Sequence, residues 1–302
     1  MNLEDFFRNP PDHQAVARKL DAMVRENRAL RLFRAGRSVL GREIPALGVG
    51  NLKNAVVFVG ATHGQEWLTC SLLLRFLEDF GAAYARGGEL AEISLPGVMK
   101  GKGLVVVPCL NPDGVEIALH GPVSAGNCRG LIEAVRREHP GQKWQANARG
   151  VDLNHNFDAG WQELQAMERA AGITGPAPTR YGGPAPASEP ETRAMVHLTA
   201  AFDFRRLYSF HSQGEEIFWE YGGVPAPQGE LIARTLSALS GYRLVENAGL
   251  ASHGGLKDWY IQTFRRPGFT VEIGKGENPL PIEDLEPVYA RLLPMLTAAA
   301  FL

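Results

Sequence analysis

The apolar positions of this chain follow two periods that alternate from end to end. Residues 12 to 28 carry Val16, Leu20, Met23 and Val24 on one face at helical spacing, with Asp12 placed to cap the first turn. The stretch "GRSVLGREIPALGVG" holds two short alternating runs around Gly41 and Arg42, which predicts a hairpin. Residues 55 to 60 form a continuous apolar run, the signature of a strand covered on both faces. Leu68, Leu72, Leu73, Phe76 and Phe80 then predict a helix over about 65 to 84. "GLVVVPCLNPDG" reads as a second buried strand ending in a turn at Asn111-Pro112-Asp113-Gly114.

Beyond that turn the pattern weakens. Residues 120 to 150 are polar and irregular, "RGVDLNHNF" reads as a short extended segment, and residues 172 to 186 read as a loop rich in Gly, Pro and Ala. Ser188-Glu189-Pro190-Glu191 has the form of a capping box opening a helix to about Phe202. Strand-like runs flank His211, and a helix near 229 to 240 follows. After the glycine-rich "ASHGGLKDW" come the strand "GFTVEIGKG" and a last helix, with Leu285, Val288, Leu292 and Leu296 inward and Pro287 and Pro294 expected to kink or shorten it. Strands alternating with helices, with no repeat and no linker, predict one α/β domain: a central mixed, mostly parallel sheet flanked by helices. Residues 1–35 are expected as an N-terminal helical segment packed on a domain of residues 36–302.

Composition narrows the class of protein. The 302 residues are 45% hydrophobic and 21% charged, as in ordinary globular proteins, and a net charge of −2 gives no electrostatic reason to expect a nucleic-acid or anionic-membrane partner. No apolar run approaches the ~20 residues of a membrane helix, and "MNLEDFFRNPPDHQ" lacks the pattern of a secretory signal. The three cysteines follow no CxxC spacing; Cys70 and Cys109 fall on apolar elements and read as reduced core residues. Together these features lead us to expect a cytoplasmic protein.

Four polar residues interrupt otherwise apolar elements. His63 and Glu66 stand three residues apart in "GATHGQEW", just past the strand at 55 to 60; a satisfied loop histidine is the plain alternative for His63. His211 follows "LYSF" at a strand end, and Glu272 sits inside "FTVEIG", where an unpaired carboxylate is costly and is normally paired or functional. Ligands in α/β sheets gather at the carboxyl ends of strands, and His63, Asn111, His211 and Glu272 all fall at or just past such ends. Catalytic zinc commonly takes two His and one Glu and leaves a position open.

The ordered set "GATHGQEW", "NPDG", "NARGVDLNHNF", "SFHSQGEE", "GGLKDW" and "FTVEIGKGENPLP" resembles the zinc metallocarboxypeptidase family. The resemblance runs from about Gly36 to the C-terminus. "HSQGEE" and "EIGKGENPLP" bring it nearest to the bacterial branch of γ-D-glutamyl-diaminopimelate, or murein peptide, amidases. It implies a zinc carboxypeptidase-like fold with one zinc held by His63, Glu66 and His211. Glu272 is implied as the catalytic carboxylate, base and then acid in amide hydrolysis. The activity implied is cleavage between γ-D-glutamate and a diamino acid in a murein-derived peptide. A carboxypeptidase, a deacylase of N-acyl amino acids and a binding module that senses wall peptides are the alternatives.

Departures from the family pattern bear on substrate. Where pancreatic-type members hold a terminal carboxylate with an Asn-Arg pair, this chain has Asn154 and His155, and His cannot form the bidentate fork of Arg. Gln65 replaces an arginine before the ligand glutamate, and Leu250 stands near the place of an active-site tyrosine. Arg149 is the expected oxyanion stabiliser, with Arg129, Arg136 and Arg137 as alternatives. Lys257 and Asp258 fall where the family sets side-chain specificity and are expected to meet the charges of a diamino acid, or else to be an exposed lysine and a structural aspartate. His253 is a further candidate for substrate contact, while Trp219 and Tyr221 are expected to pack on the sheet. Of Glu215 and Glu216, at most one should face the site.

Overall fold

The computed structural model describes residues 3–245 and 253–302. Its strands are β1 (Arg31–Arg37), β2 (Glu43–Gly50), β3 (Ala55–Val59), β4 (Glu89–Leu90), β5 (Ile93–Ser94), β6 (Gly103–Val107), β7 (Leu207–Ser212), β8 (Glu216–Phe218), β9 (Arg243–Val245) and β10 (Gly268–Ile273). Its helices are α1 (His13–Glu26), α2 (Leu68–Arg86), α3 (Leu95–Val98), α4 (Pro112–His120), α5 (Arg129–Glu138), α6 (Trp161–Ala170), α7 (Pro190–Phe202), α8 (Gly229–Ser240), α9 (Leu256–Phe264) and α10 (Leu285–Phe301). Eight strands form one sheet in the order β1-β2-β6-β3-β7-β10-β8-β9, and β4 pairs with β5 alone. The central β6, β3, β7 and β10 run parallel, whereas β1–β2, β2–β6 and β10–β8 are antiparallel. This is the mixed, mostly parallel sheet expected.

Every residue of β3 and β6 is buried, because helices cover both faces. The period of two sorts the side chains: Val56 and Phe58 join one apolar cluster with residues of α1, α2, α8 and α10. Ala55, Val57 and Val59 join another with residues of α7 and α9. Asp12 caps α1 by accepting the Ala15 amide at 2.7 Å, and Pro294 lies inside α10. No helix among the described residues is long and apolar enough to cross a membrane.

Several expectations need correction. Asn111-Pro112-Asp113-Gly114 is not a free turn: Asn111 caps α4, its Oδ1 accepting the Gly114 amide at 2.8 Å. Residues 153 to 155 form a 3₁₀ turn capped by Asp152 rather than an extended segment. α5 and α6 are amphipathic helices in stretches where the sequence reading assigned none, α5 lying within the residues read as polar and irregular. At α7 the capping box does not form; the Ser188 hydroxyl donates to Glu189, and Glu191 accepts the Val39 amide from another element. Within residues 1–35, α1 shares the core of the sheet and β1 begins at Arg31 as an edge strand.

Candidate active site

The carboxyl ends of β3 and β10 open onto a cavity of about 840 Å³. β3 leads into a 3₁₀ turn, Gly64–Glu66, that presents His63 and Glu66. This turn packs directly on the start of α4: a Cβ on Gly64 would lie 2.2 Å from the Gly114 carbonyl oxygen. Gly64 is therefore required by this contact, whereas a Cβ on Gly114 would meet Asn111 Nδ2 at 2.3 Å and the Ala146 carbonyl oxygen at 2.6 Å. β7 carries His211, and β10 carries Glu272 in direct register with it, so the two side chains leave the sheet on the same face.

His63, Glu66 and His211 converge. His63 Nδ1 is 2.8 Å from Glu66 Oε1, His211 Nδ1 is 3.0 Å from Glu66 Oε2, and the two Nδ1 atoms are 3.2 Å apart. A tetrahedral ion bound at the usual zinc distances spaces its ligand atoms about 3.3 Å apart, so one ion fits between them. The far side of each ring is also held. His63 Nε2 lies 3.1 Å from Asp152 Oδ1, and His211 Nε2 lies 3.1 Å from Ser209 Oγ. Such outer partners orient metal-ligating imidazoles. Burial disfavours charge on His63, but Glu66 and Asp152 outweigh it and hold its pKa well above the ordinary value. Glu66, despite a burial that acts the other way, is lowered to about 2 by the two histidines. A divalent ion held by these three residues would displace any proton from the ligating atoms.

Glu272 lines the cavity beside this cluster. Burial, reinforced by the charge of Glu66, pushes its carboxyl well above the usual carboxylate range. Asp152 is the hub that sequence reasoning named only as part of a motif. Its Oδ1 holds His63 and the Asn154 amide (3.1 Å), and its Oδ2 accepts the Arg180 amide at 2.8 Å. Burial acts against its ionisation, yet His63 and His155 hold its pKa far below the ordinary value. An aspartate inside the apolar "GVDL" was the available signal.

The remaining expected residues divide. Asn154, His155 and His253 line the cavity, as do Gln65, Gln145, Lys143 and Arg180. His155 Nδ1 faces the buried Glu168 carboxylate at 2.9 Å and the Arg180 carbonyl at 3.1 Å. Glu168 belongs to α6, a helix that the sequence reading did not assign. Arg149 is not among the lining residues: its half-exposed guanidinium reaches Glu189 at 3.5 Å, which takes the expected oxyanion stabiliser out of the cavity. Arg129 pairs with Glu133, and Arg136 donates to the Ile117 carbonyl, also away from it.

Lys257 and Asp258 do not line the cavity either. They are 3% and 2% exposed, form an ion pair with each other, and Lys257 also donates to the Glu220 carbonyl at 2.6 Å. Glu215 pairs with Lys275 and Arg291, and Glu216 with Arg243, so neither glutamate lines the cavity. Tyr221 packs in the core as expected. Leu250 lies outside the described residues.

Comparison with known proteins gives a consistent picture. Residues 16–294 match the zinc carboxypeptidase family. The chain is 35% identical over 270 residues, 88% of its length, to the γ-D-glutamyl-L-diamino acid endopeptidase 1 of Lysinibacillus sphaericus, and spans 66% of that relative. Carboxypeptidase A from Helicoverpa armigera shares the fold with a TM-score of 0.74 at 19% identity, over 97% of this chain and 73% of that one. The murein-tripeptide amidase MpaA from Escherichia coli O157 shares it with a TM-score of 0.56 at 21% identity, over 89% and 91% of the two chains.

Proposed function

The chain belongs to the zinc carboxypeptidase family, and from that premise we propose that it hydrolyses the amide between γ-D-glutamate and a diamino acid in murein-derived peptides. The observation that carries the reading is the convergence of His63, Glu66 and His211 beside a buried carboxylate, Glu272, in a chain 35% identical to a γ-D-glutamyl-L-diamino acid endopeptidase. His155, where the pancreatic enzymes have arginine, supports the departure from general carboxypeptidase activity.

Zinc held by His63, Glu66 and His211 would supply Lewis-acid chemistry, polarising the amide carbonyl and acidifying water. Asp152 and Ser209 keep the two imidazoles aimed at the ion, so little reorganisation is left for the reaction. Glu272 takes the proton of the attacking water and delivers it to the departing amine. Its pKa, raised by burial and by the charge of Glu66, favours holding the proton it must then deliver. Asn154 and His155 form the wall against which the substrate lies. Free thiols at Cys70, Cys109 and Cys128 support a reducing compartment, and we place the reaction in the cytoplasm.

The test is a substrate comparison with the purified zinc-loaded protein. L-Ala-γ-D-Glu-meso-diaminopimelate, peptides with ordinary C-terminal residues and N-acyl amino acids are each assayed against Glu272→Gln. Release of diaminopimelate by wild type alone is the expected outcome. Cleavage confined to either of the other two classes would transfer the assignment to a carboxypeptidase or a deacylase.

A further inference from the structure

Resting on that reading, we propose that Arg180 binds a substrate carboxylate next to the scissile amide and so sets specificity for an acidic substrate. Among the described residues that line the cavity, Arg180 and Lys143 are the only Lys or Arg. Arg180 is exposed there, and among the described residues its guanidinium has no hydrogen-bond or ion-pair partner. An exposed, cavity-lining arginine thus offers five donors in a planar fork, uncommitted among the described residues, in the form that matches a carboxylate. Of the two lining carboxylates, Asp152 is held by His63 and by its neighbouring amides, and Glu272 stands on β10 in register with the ligand His211.

The backbone of Arg180 is fixed more firmly than that of an ordinary loop residue. Its amide donates to Asp152 Oδ2 while Asp152 Oδ1 holds His63, so a single carboxylate ties Arg180 to a metal ligand. Its carbonyl faces His155 Nδ1 at 3.1 Å. His155 therefore braces Arg180 and is itself anchored by Glu168. Arg180 also has a φ of +68°, a left-handed conformation that is cheaper for Gly or Asn. An arginine kept at such a position, with its head group free in the cavity, points to use of the side chain. Because Asp152 fixes the root of the side chain, its reach is limited to groups close to the amide undergoing attack. A γ-linked glutamyl residue carries a carboxylate on one side of that amide, and the diamino acid carries one on the other.

Arg180→Asn suits the left-handed backbone and removes the guanidinium without disturbing the fold, while Arg180→Lys retains the charge. Three peptides separate the possible sources: L-Ala-γ-D-Glu-meso-diaminopimelate, its analogue with the glutamyl α-carboxylate amidated, and its analogue with the diamino acid carboxylate next to the scissile amide amidated. For the parent peptide we expect Arg180→Asn to lower kcat/KM about 10- to 100-fold, mainly through KM, the range for a charge-assisted pair. We expect Arg180→Lys to recover part of the loss. On one amidated analogue the wild type and Arg180→Asn become equal, and that analogue identifies the carboxylate. An equal loss on all three peptides would place Arg180 on the oxyanion and overturn the proposal, as would no loss at all. If the wild type cleaves none of them, the functional reading fails by itself. Calorimetric binding of meso-diaminopimelate and of D-glutamate to the zinc-loaded protein then decides: binding of either that is weakened in Arg180→Asn upholds the carboxylate site, and unchanged or absent binding of both overturns it.

Discussion

Glu191→Gln should change how stability depends on pH without touching the cavity. Glu191 is fully buried; its Oε1 accepts the Val39 amide at 3.0 Å and its Oε2 accepts from Asn147 Nδ2 at 3.2 Å. Burial, aided by the charge of Asp113 and only partly opposed by these donors, raises its pKa from 4.5 to about 7. A raised carboxyl pKa means that the folded protein holds the proton more tightly than the unfolded chain. The associated stability is fully present below pH 4.5 and is lost as pH rises through about 7. At 1.36 kcal/mol per pH unit, the whole effect is about 3 kcal/mol. Of this, ~2.5 kcal/mol falls between pH 5 and pH 8. Glutamine cannot titrate, so the stability of the variant relative to wild type should rise by that amount over the same range. Any fixed cost of turning an amide toward a donor is independent of pH and drops out. Urea unfolding with a chelator present, to remove the separate pH dependence of metal binding, measures it. A difference constant to within about 0.5 kcal/mol between pH 5 and pH 8 would refute the reasoning. The effect bears on the site because Asn147, through Oδ1, also holds the Arg149 and Val151 amides in the turn that leads to Asp152.

Asp152→Asn should weaken zinc binding about 10- to 100-fold, because it replaces the charged acceptor that orients His63 with a neutral amide; chelator competition measures it, and unchanged affinity would remove Asp152 from that role. Arg149→Met should leave kcat/KM within about threefold, since its guanidinium lies at Glu189 and not in the cavity; a loss of about 100-fold or more would return it to the oxyanion. Lys257→Met should destabilise the fold by about 3–5 kcal/mol by stranding the charge of Asp258, and Lys257→Met with Asp258→Leu should recover much of that in thermal unfolding. A single variant as stable as wild type would show that the pair contributes nothing.

The chemistry was legible wherever a polar residue broke an apolar run. His63, His211 and Glu272 stood out because the strands around them left no bland use for them, and the sheet brings their side chains to one cavity. Residues that act from irregular segments were not legible. Arg180 and Lys143 lie in polar stretches where a basic residue is unremarked, and only the fold of residues 142 to 182 over the strand ends places them on the cavity. Lys257 and Asp258 misled for the opposite reason. Side by side in a polar motif, they suggested two exposed charges, whereas α9 packs against the sheet and turns both inward to neutralise each other. Helices α5 and α6 were missed although both are amphipathic, because each buries few residues and charged and polar positions dominate its composition.

Titration of the metal-free protein with zinc, following hydrolysis of L-Ala-γ-D-Glu-meso-diaminopimelate at each addition, tests the central claim most directly. Activity should rise linearly and saturate at about one zinc per chain. Glu272→Gln should take up the same single ion with no hydrolysis, and Glu66→Ala should lose both. Full activity before any zinc is added, or hydrolysis retained in zinc-loaded Glu272→Gln, would contradict the account.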